Sequence, residues 1–284
     1  MKIVVLGATG MLGNAVVRCF AEDDRFDVVA IARSSDVRHQ FDGNIRAQFV
    51  GGLDAENPES LTSVFASHAP DIVINCVGLV KQLSGASRVL DAVPINALLP
   101  HRLAQLCGIA GARLVHVSTD CVFSGRKGGY IEADTPDATD LYGQSKLWGE
   151  VDAPQAITLR TSIIGHELRS SHSLLGWFLA QTGTIKGFRR AIFSGLPTGE
   201  LAGVIRDFVL PNPELHGIYH VSADPISKLD LVRLFAAEYQ REIEIVTDDE
   251  LIIDRSLDSR RFRAATGYRP APWPELVRRM RQFG

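Results

Sequence analysis

Over roughly the first 165 residues, short continuous apolar runs alternate with stretches of helical spacing. Ile3–Leu6, Val28–Ala32, Ala47–Val50, Asp71–Asn75, Leu114–Ser118 and Ile157–Arg160 are of strand length and rich in β-branched side chains. Runs with no alternating polar face suit parallel strands that helices cover on both sides. Between them, Leu12–Glu22, Glu59–His68 and Ile95–Cys107 repeat their apolar residues at helical intervals. Repeated strand–helix–strand units of this kind predict an α/β fold built on a doubly wound parallel sheet. Right-handed crossovers then leave few topologies.

Past residue 165 the rhythm breaks. Ser173–Ala180, Thr198–Val209, Ser227–Tyr239 and Pro274–Arg281 predict helices, Gly217–Val221 and Glu242–Val246 predict strands, and prolines, among them Pro197, Pro211, Pro213, Pro270, Pro272 and Pro274, punctuate the segment. The expected organisation is a domain over residues 1–165 and a smaller α/β lobe over residues 166–284, with segments free to interleave. The lobe should sit at the sheet's C-terminal edge, where open α/β folds take their ligands.

Composition narrows the function classes. The 284 residues carry a formal net charge of −3, which gives no reason to expect nucleic acid or an anionic membrane as a partner. No apolar run reaches the roughly 20 residues that span a bilayer. Met1-Lys2 and the run Ile3–Leu6 look like the start of a signal peptide, but glycines follow too soon for an apolar region of about 7–15 residues. Cys19, Cys76, Cys107 and Cys121 are widely spaced and form no metal-ligand pair. They read as reduced thiols of a cytoplasmic protein, and no metal site is expected.

Chemistry enters at the first strand's end. Gly7-Ala8-Thr9-Gly10-Met11-Leu12-Gly13 links a strand directly to a helix. Such a turn needs a residue tolerant of positive φ, lets backbone approach a pyrophosphate, and aims helix N–H groups at it. The G-x-x-G-x-x-G spacing departs from the usual G-x-G-x-x-G. Its position at the head of strand–helix repeats nevertheless points to a Rossmann-type dinucleotide site, with Gly7, Thr9, Gly10, Met11 and Leu12 against the phosphates. The second strand ends Ile31-Ala32-Arg33-Ser34 with no acidic residue for a ribose 2′-hydroxyl. Arg33 there suits a 2′-phosphate, hence NADP(H). Asp54, after the third strand, could accept from the adenine amine or simply shape the turn before the next helix.

Tyr142 and Lys146 stand four apart in a segment able to start a helix, so the phenol and ammonium share one face. A nearby cation lowers a phenol's pKa and lets it exchange a proton with a carbonyl or alcohol. Upstream, the strand Leu114–Ser118 ends in Thr119, at the sheet edge where substrate should lie.

The order of glycine loop, Thr119 and Tyr142-x-x-x-Lys146 resembles the extended short-chain dehydrogenase/reductase family. The segments from Ser118 to Gly125, Leu141 to Lys146 and Leu159 to Ser162 are most similar to its dTDP-4-dehydrorhamnose reductase branch, and Asn75 and Asn96 match the family's usual asparagines. The resemblance implies reduction of a 4-keto group on a nucleotide-linked deoxysugar with NADPH. Tyr142 would give the proton, Lys146 would lower its pKa and hold the nicotinamide ribose, and Thr119 would bind the substrate oxygen. Asn75 would help hold the cofactor. Arg160, Thr161 and Ser162 would lie beside the nicotinamide, and Arg255 or Arg260 would pair with the substrate diphosphate.

Two positions depart from the branch. Cys121 and Ile163 stand where it carries aromatics, and both should face the substrate. In GDP-fucose synthases of the same family a cysteine occupies the former position, and a histidine follows a serine as His172 follows Ser170-Ser171 here. Cys121 and His172 could therefore exchange protons with the sugar ring. Otherwise Cys121 is a packed thiol and His172 a helix-start residue capped by Ser170 or Ser171. A non-catalytic NADP(H)-binding subunit is the alternative from another class, although Tyr142 and Lys146 are both present. Family resemblance also implies a homodimer, with Leu98, Leu99, Leu103, Leu106, Leu147 and Trp148 near helical spacing.

Overall fold

A computed structural model describes residues 1–41, 43–80, 88–168 and 173–284. In the first half, β1 (Lys2–Leu6), α1 (Met11–Ala21), β2 (Asp27–Ile31), β3 (Gln48–Val50), α2 (Pro58–His68) and β4 (Ile72–Asn75) follow one another. A long helical stretch comes next: α3 (Val89–Ala92), a π-helical turn (Val93–Leu98) and α4 (Leu99–Ala110). Then come β5 (Arg113–Thr119), α5 (Leu141–Trp148), β6 (Ala156–Thr161) and β7 (Ile163–Ile164). The second half holds α6 (Leu174–Leu179), β8 (Thr184–Phe188), β9 (Ala191–Phe193), β10 (Leu196–Pro197), α7 (Thr198–Val204) with a second π-helical turn (Ile205–Val209), and β11 (Gly217–His220). It ends with β12 (Ile226–Ser227), α8 (Lys228–Glu238), β13 (Glu244–Asp248), β14 (Ile253–Asp254), α9 (Arg260–Thr266) and α10 (Trp273–Phe283).

Among the described residues seven parallel strands form the central sheet in the order β3-β2-β1-β4-β5-β6-β11. The apolar runs are continuous because alternate residues serve opposite faces. Val4, Leu6, Val29 and Val73 pack with Leu61, Phe65, Leu99 and Leu103 of α2 and α4. Ile3, Val5, Ala30 and Ile74 pack with Val16, Phe20, Leu201 and Leu276 of α1, α7 and α10. Strand order reverses between β1 and β4, and the loops after both open at that crevice, as ligand sites of doubly wound sheets do.

The chain crosses the expected boundary near residue 165. β11, expected in the lobe, pairs with β6 from Gly217 opposite Ile157 to His220 opposite Arg160 and completes the sheet. α7 and α10 likewise join the core on the α1 face. The remaining strands form small sheets outside this frame, β12-β9-β14, β13-β8 and β10-β7. Local signals set the helix ends. Asn57 caps α2 by accepting from Glu59 N–H at 2.8 Å, and Asp140 caps α5 by accepting from Gly143 N–H at 3.0 Å. At α6 the cap is Ser173, which accepts from Gly176 N–H at 3.1 Å, while Ser170 and Ser171 lie outside the described residues.

Candidate active site

The carboxyl ends of β1, β4, β5 and β6 converge on one edge. At β1, Gly7 takes φ +78° and lies so near the next strand that a Cβ there would come within 3.0 Å of the Cys76 carbonyl. Gly13 is demanded by close approach alone: its Cβ would fall 2.1 Å from the Gly7 carbonyl oxygen. Gly10 differs. Its φ and ψ of −74° and 163° suit any residue, and the one atom near its Cβ position is that same oxygen, at 3.3 Å. No side chain caps α1 at Gly10. The turn thus presents an open backbone face at a helix N-terminus, between half-buried Thr9 and Met11, while Leu12 is buried beneath it.

Arg33 follows β2, is exposed, and makes no hydrogen bond or ion pair among the described residues. Beside it Ser34 Oγ accepts from Asp36 N–H, and Arg38 donates to the carbonyls of Phe41 and Gly43 at 3.0 and 2.7 Å. Asp54 accepts from Glu56 N–H at 3.0 Å, so it does shape the turn before α2.

Asn75 is buried at the tip of β4. Its amide oxygen accepts from Val77 N–H at 3.1 Å, which fixes the amide so that its nitrogen donates to His116 Nδ1, also at 3.1 Å. Asn75 thus shapes the loop after β4 from beneath. Asn96, on the π-helical turn, does so from above: it accepts from Leu79 N–H and donates to Leu79 O and Ser145 Oγ. A Cβ on Gly78 would face Asn96 Oδ1 at 3.5 Å and Lys146 Nζ at 4.0 Å, so the loop's Gly78 backbone borders the lysine.

Helix α5 carries Tyr142 and Lys146, and two glycines press it into place. A Cβ at Gly143 would lie 2.3 Å from the Cys121 carbonyl oxygen, and one at Gly149 1.9 Å from that of Asn96. These close approaches set Tyr142 beside the Thr119–Cys121 turn, and nothing in hydrophobic spacing announces them. Thr119 Oγ1 accepts from Cys121 N–H at 3.1 Å and donates to Asp120 Oδ1 at 3.2 Å. Lys146 is buried and donates to the Val117 carbonyl at 2.8 Å.

The electrostatics differ from the expectation for the pair. Burial pushes the Tyr142 phenol well above its ordinary range, Cys121 and Asp120 add to this, and the Thr119 hydroxyl offsets part of it. Lys146 is not among the largest influences on the phenol. Its own ammonium is brought down to about 8 by burial, against the opposing pull of Glu150 and Cys76.

The other expected site residues separate. Arg160 does not face the nicotinamide region. Its guanidinium turns inward, giving Nε to Glu150 Oε1 and Nη2 to Glu150 Oε2, each at 2.7 Å. Thr161 is buried and donates to Ser162 O at 3.2 Å, while Ser162 O also accepts from Leu196 N–H at 2.8 Å. Ile163 pairs with Leu196 and is half-buried against the main core. Arg255 donates to Phe123 O at 2.7 Å and to Cys121 Sγ at 3.7 Å, which brings it to the catalytic turn. Arg260 pairs at the surface with Asp258 instead. Burial, with Asp120 adding, pushes the Cys121 thiol up to about 12, so it stays protonated. His172 lies outside the described residues. Sequence reasoning missed Lys228, the first residue of α8, which is half-buried and feels Asp120, Cys121 and Arg255. Its signal, a lysine after a capping serine, is too common to single out.

Behind the edge, His220 accepts from Arg160 Nη1 at 3.3 Å through Nε2 and donates to Tyr130 O at 3.0 Å through Nδ1. Burial and the Arg160 charge bring its pKa from 6.5 to about 4. The unfolded chain therefore binds a proton between these values that the native state refuses, so this stabilisation is present above pH 6.5 and lost towards pH 4. About 3 kcal/mol should disappear over that window. A His220→Asn variant should show a correspondingly shallower acid dependence of urea midpoints, and an unchanged slope would contradict the assignment.

Comparison with known proteins fits this geometry. The chain is 26% identical to a dTDP-4-dehydrorhamnose reductase from Aggregatibacter actinomycetemcomitans, covering 99% of each. It is 31% identical to a probable dTDP-4,6-dihydroxy-2-methyloxan-3-one 4-ketoreductase from Streptomyces antibioticus, over 78% of this chain and 71% of that one. Its fold matches the structure of a dTDP-4-dehydrorhamnose reductase from Bacillus anthracis in complex with NADP, with a TM-score of 0.78 and 22% identity over 99% and 98% of the chains. The family model described as RmlD substrate binding domain matches residues 1–282, and the chain belongs to that family.

Proposed function

We propose that this protein reduces the 4-keto group of a nucleotide-linked deoxysugar with NADPH. The observation that carries the reading is the convergence of Thr119, Tyr142 and Lys146 on the same sheet edge as the open face of Gly10. The residues present fit the cofactor. Gly10 and the uncapped start of α1 offer backbone N–H groups to a pyrophosphate, with Thr9 and Met11 at its sides, and Arg33 is free for a 2′-phosphate. Lys146 and the loop shaped by Asn75 border the place for the nicotinamide ribose, with Thr161 and Ser162 at the neighbouring strand end.

The bound cofactor supplies the hydride. Thr119 donates to the substrate carbonyl, which polarises it, and Tyr142 donates the proton to the developing alkoxide. Arg255 and Lys228 bring two cations to the catalytic turn and suit the substrate diphosphate. Cys121 and Ile163 border the sugar. A thiol held protonated favours plain reduction over proton exchange at the ring carbons, and a complete Thr-Tyr-Lys set favours an enzyme over a binding subunit. The protein would act in the cytoplasm. A homodimer would cover Leu98 and Trp148, which are 45% and 53% exposed, whereas Leu99 and Leu103 belong to the protein's own core.

NADPH oxidation with dTDP-, GDP-, UDP- and CDP-linked 4-keto-6-deoxysugars tests the reading, and no turnover with any of them, despite tight NADPH binding, would overturn it. Arg33→Ala should weaken NADPH binding by about 10- to 100-fold, as loss of one or two charged hydrogen bonds implies. NADH binding should barely move, and equal losses for both cofactors would rule out the 2′-phosphate role.

A further inference from the structure

The catalytic lysine stands on a buried ionic network that the proposed reaction does not itself use. Glu150 lies one turn beyond Lys146, just past the end of α5. Its carboxylate accepts from Ser118 Oγ and, bidentately, from Arg160, all three bonds at 2.7 Å, and both ionic side chains are 4% exposed. Arg160 in turn donates to His220 and lies over the Phe123 ring. Two strand ends and the end of α5 thus meet at one carboxylate, and a third strand end backs Arg160 through His220. Val117, whose carbonyl receives the Lys146 ammonium, immediately precedes Ser118, whose hydroxyl binds Glu150.

We propose that Glu150, clamped by Ser118 and Arg160, is a positioning residue that keeps Lys146 charged and directed to the Val117 carbonyl at the active edge. The inference rests on the proposed role of Lys146. A buried ammonium held by one neutral carbonyl loses its proton unless a negative charge stands near it. The titratable and charged groups around Lys146 are few. Cys76, after β4, is a thiol that burial pushes up to about 12, and His116 on β5 is held neutral by burial. Tyr142 on α5 itself keeps its proton. Arg160 is taken up by Glu150, whose carboxylate it fixes with two hydrogen bonds. Glu150 is therefore the formal negative charge among these neighbours, and it counteracts the burial that brings Lys146 down to about 8.

The test is direct titration of Lys146 by NMR of protein labelled at the lysine Cε, assigned with Lys146→Arg. This readout needs no substrate, so it is separable from failure of the reductase reading. A midpoint near 8 is expected in the parent protein, and Glu150→Gln should lower it by about one unit or more. Glu150→Asp, which keeps the charge, should restore most of the shift. Where a substrate is available, the basic limb of the kcat/KM profile should move with it, while a purely structural role would leave the limb in place. Should Glu150→Gln fail to fold, the Glu150→Gln/Arg160→Gln double variant removes the charge without leaving a lone buried cation, and the same lowered midpoint is expected. An unchanged midpoint in either folded variant overturns the proposal.

Discussion

Tyr142→Phe is expected to lower kcat for keto-sugar reduction by about 10²- to 10⁴-fold, the range that a lost general acid commands. NADPH affinity and thermal stability should scarcely change. The ring remains, and α5 stays in place through the close approaches at Gly143 and Gly149. In the reducing direction the phenol must enter the cycle protonated, and burial that holds its pKa well above the ordinary range guarantees that form. Burial also makes the tyrosinate costly, so the charged form of Lys146 has to offset that cost as the proton leaves. Lys146 is charged below its pKa of about 8 and neutral above it, so kcat/KM should fall as pH rises through that value. Stopped-flow oxidation of NADPH across pH 6–10 would check both statements. A Tyr142→Phe variant retaining more than about a tenth of the parent kcat would exclude the phenol as the proton source.

How far the sequence foretold this arrangement depends on the kind of signal. Strands β1 to β6 were legible because each lies in a short apolar run rich in β-branched residues, and α5 because Tyr142 and Lys146 stand four apart in a segment able to start a helix. The expected lobe strand at Gly217–Val221 was correctly placed along the chain but not in space: nothing in an apolar run says which sheet edge it joins, and its partner β6 lies 60 residues earlier in register, His220 beside Arg160. The glycine turn could be read as a unit, yet only atomic positions separate Gly13, required by the Gly7 carbonyl, from Gly10, which the protein itself does not require. Arg160 shows the limit most plainly. Its place beside Thr161 and Ser162 suggested a cofactor contact, but strand residues alternate in direction, and its acidic partner sits at the end of α5, ten residues upstream. Ion pairs closed across elements leave no periodic trace.

That same arginine carries the largest expected effect on stability. Arg160→Met should destabilise the protein by about 3–5 kcal/mol, the usual cost of leaving one partner of a buried pair uncompensated, and lower Tm by roughly 10 °C. Glu150 would keep a single hydrogen bond, from Ser118, inside a region where its charge is poorly solvated. Tyr130 would still accept from His220, but His220 Nε2 would lose the donor that Arg160 provides. Removing both charges is a different experiment. Glu150→Met/Arg160→Met leaves no lone buried ion, and apolar replacement of a whole buried pair is often neutral or stabilising, so most of the lost stability should return. The two variants then separate folding from chemistry. In Arg160→Met the carboxylate still acts on Lys146 and is freed from its neutralising partner, so the basic limb of the rate profile should hold or move to higher pH although the protein is weaker. In the double variant the protein should be sturdier while that limb falls below its position near pH 8. If stability and the limb instead rise and fall together across these variants, the ion pair serves folding alone.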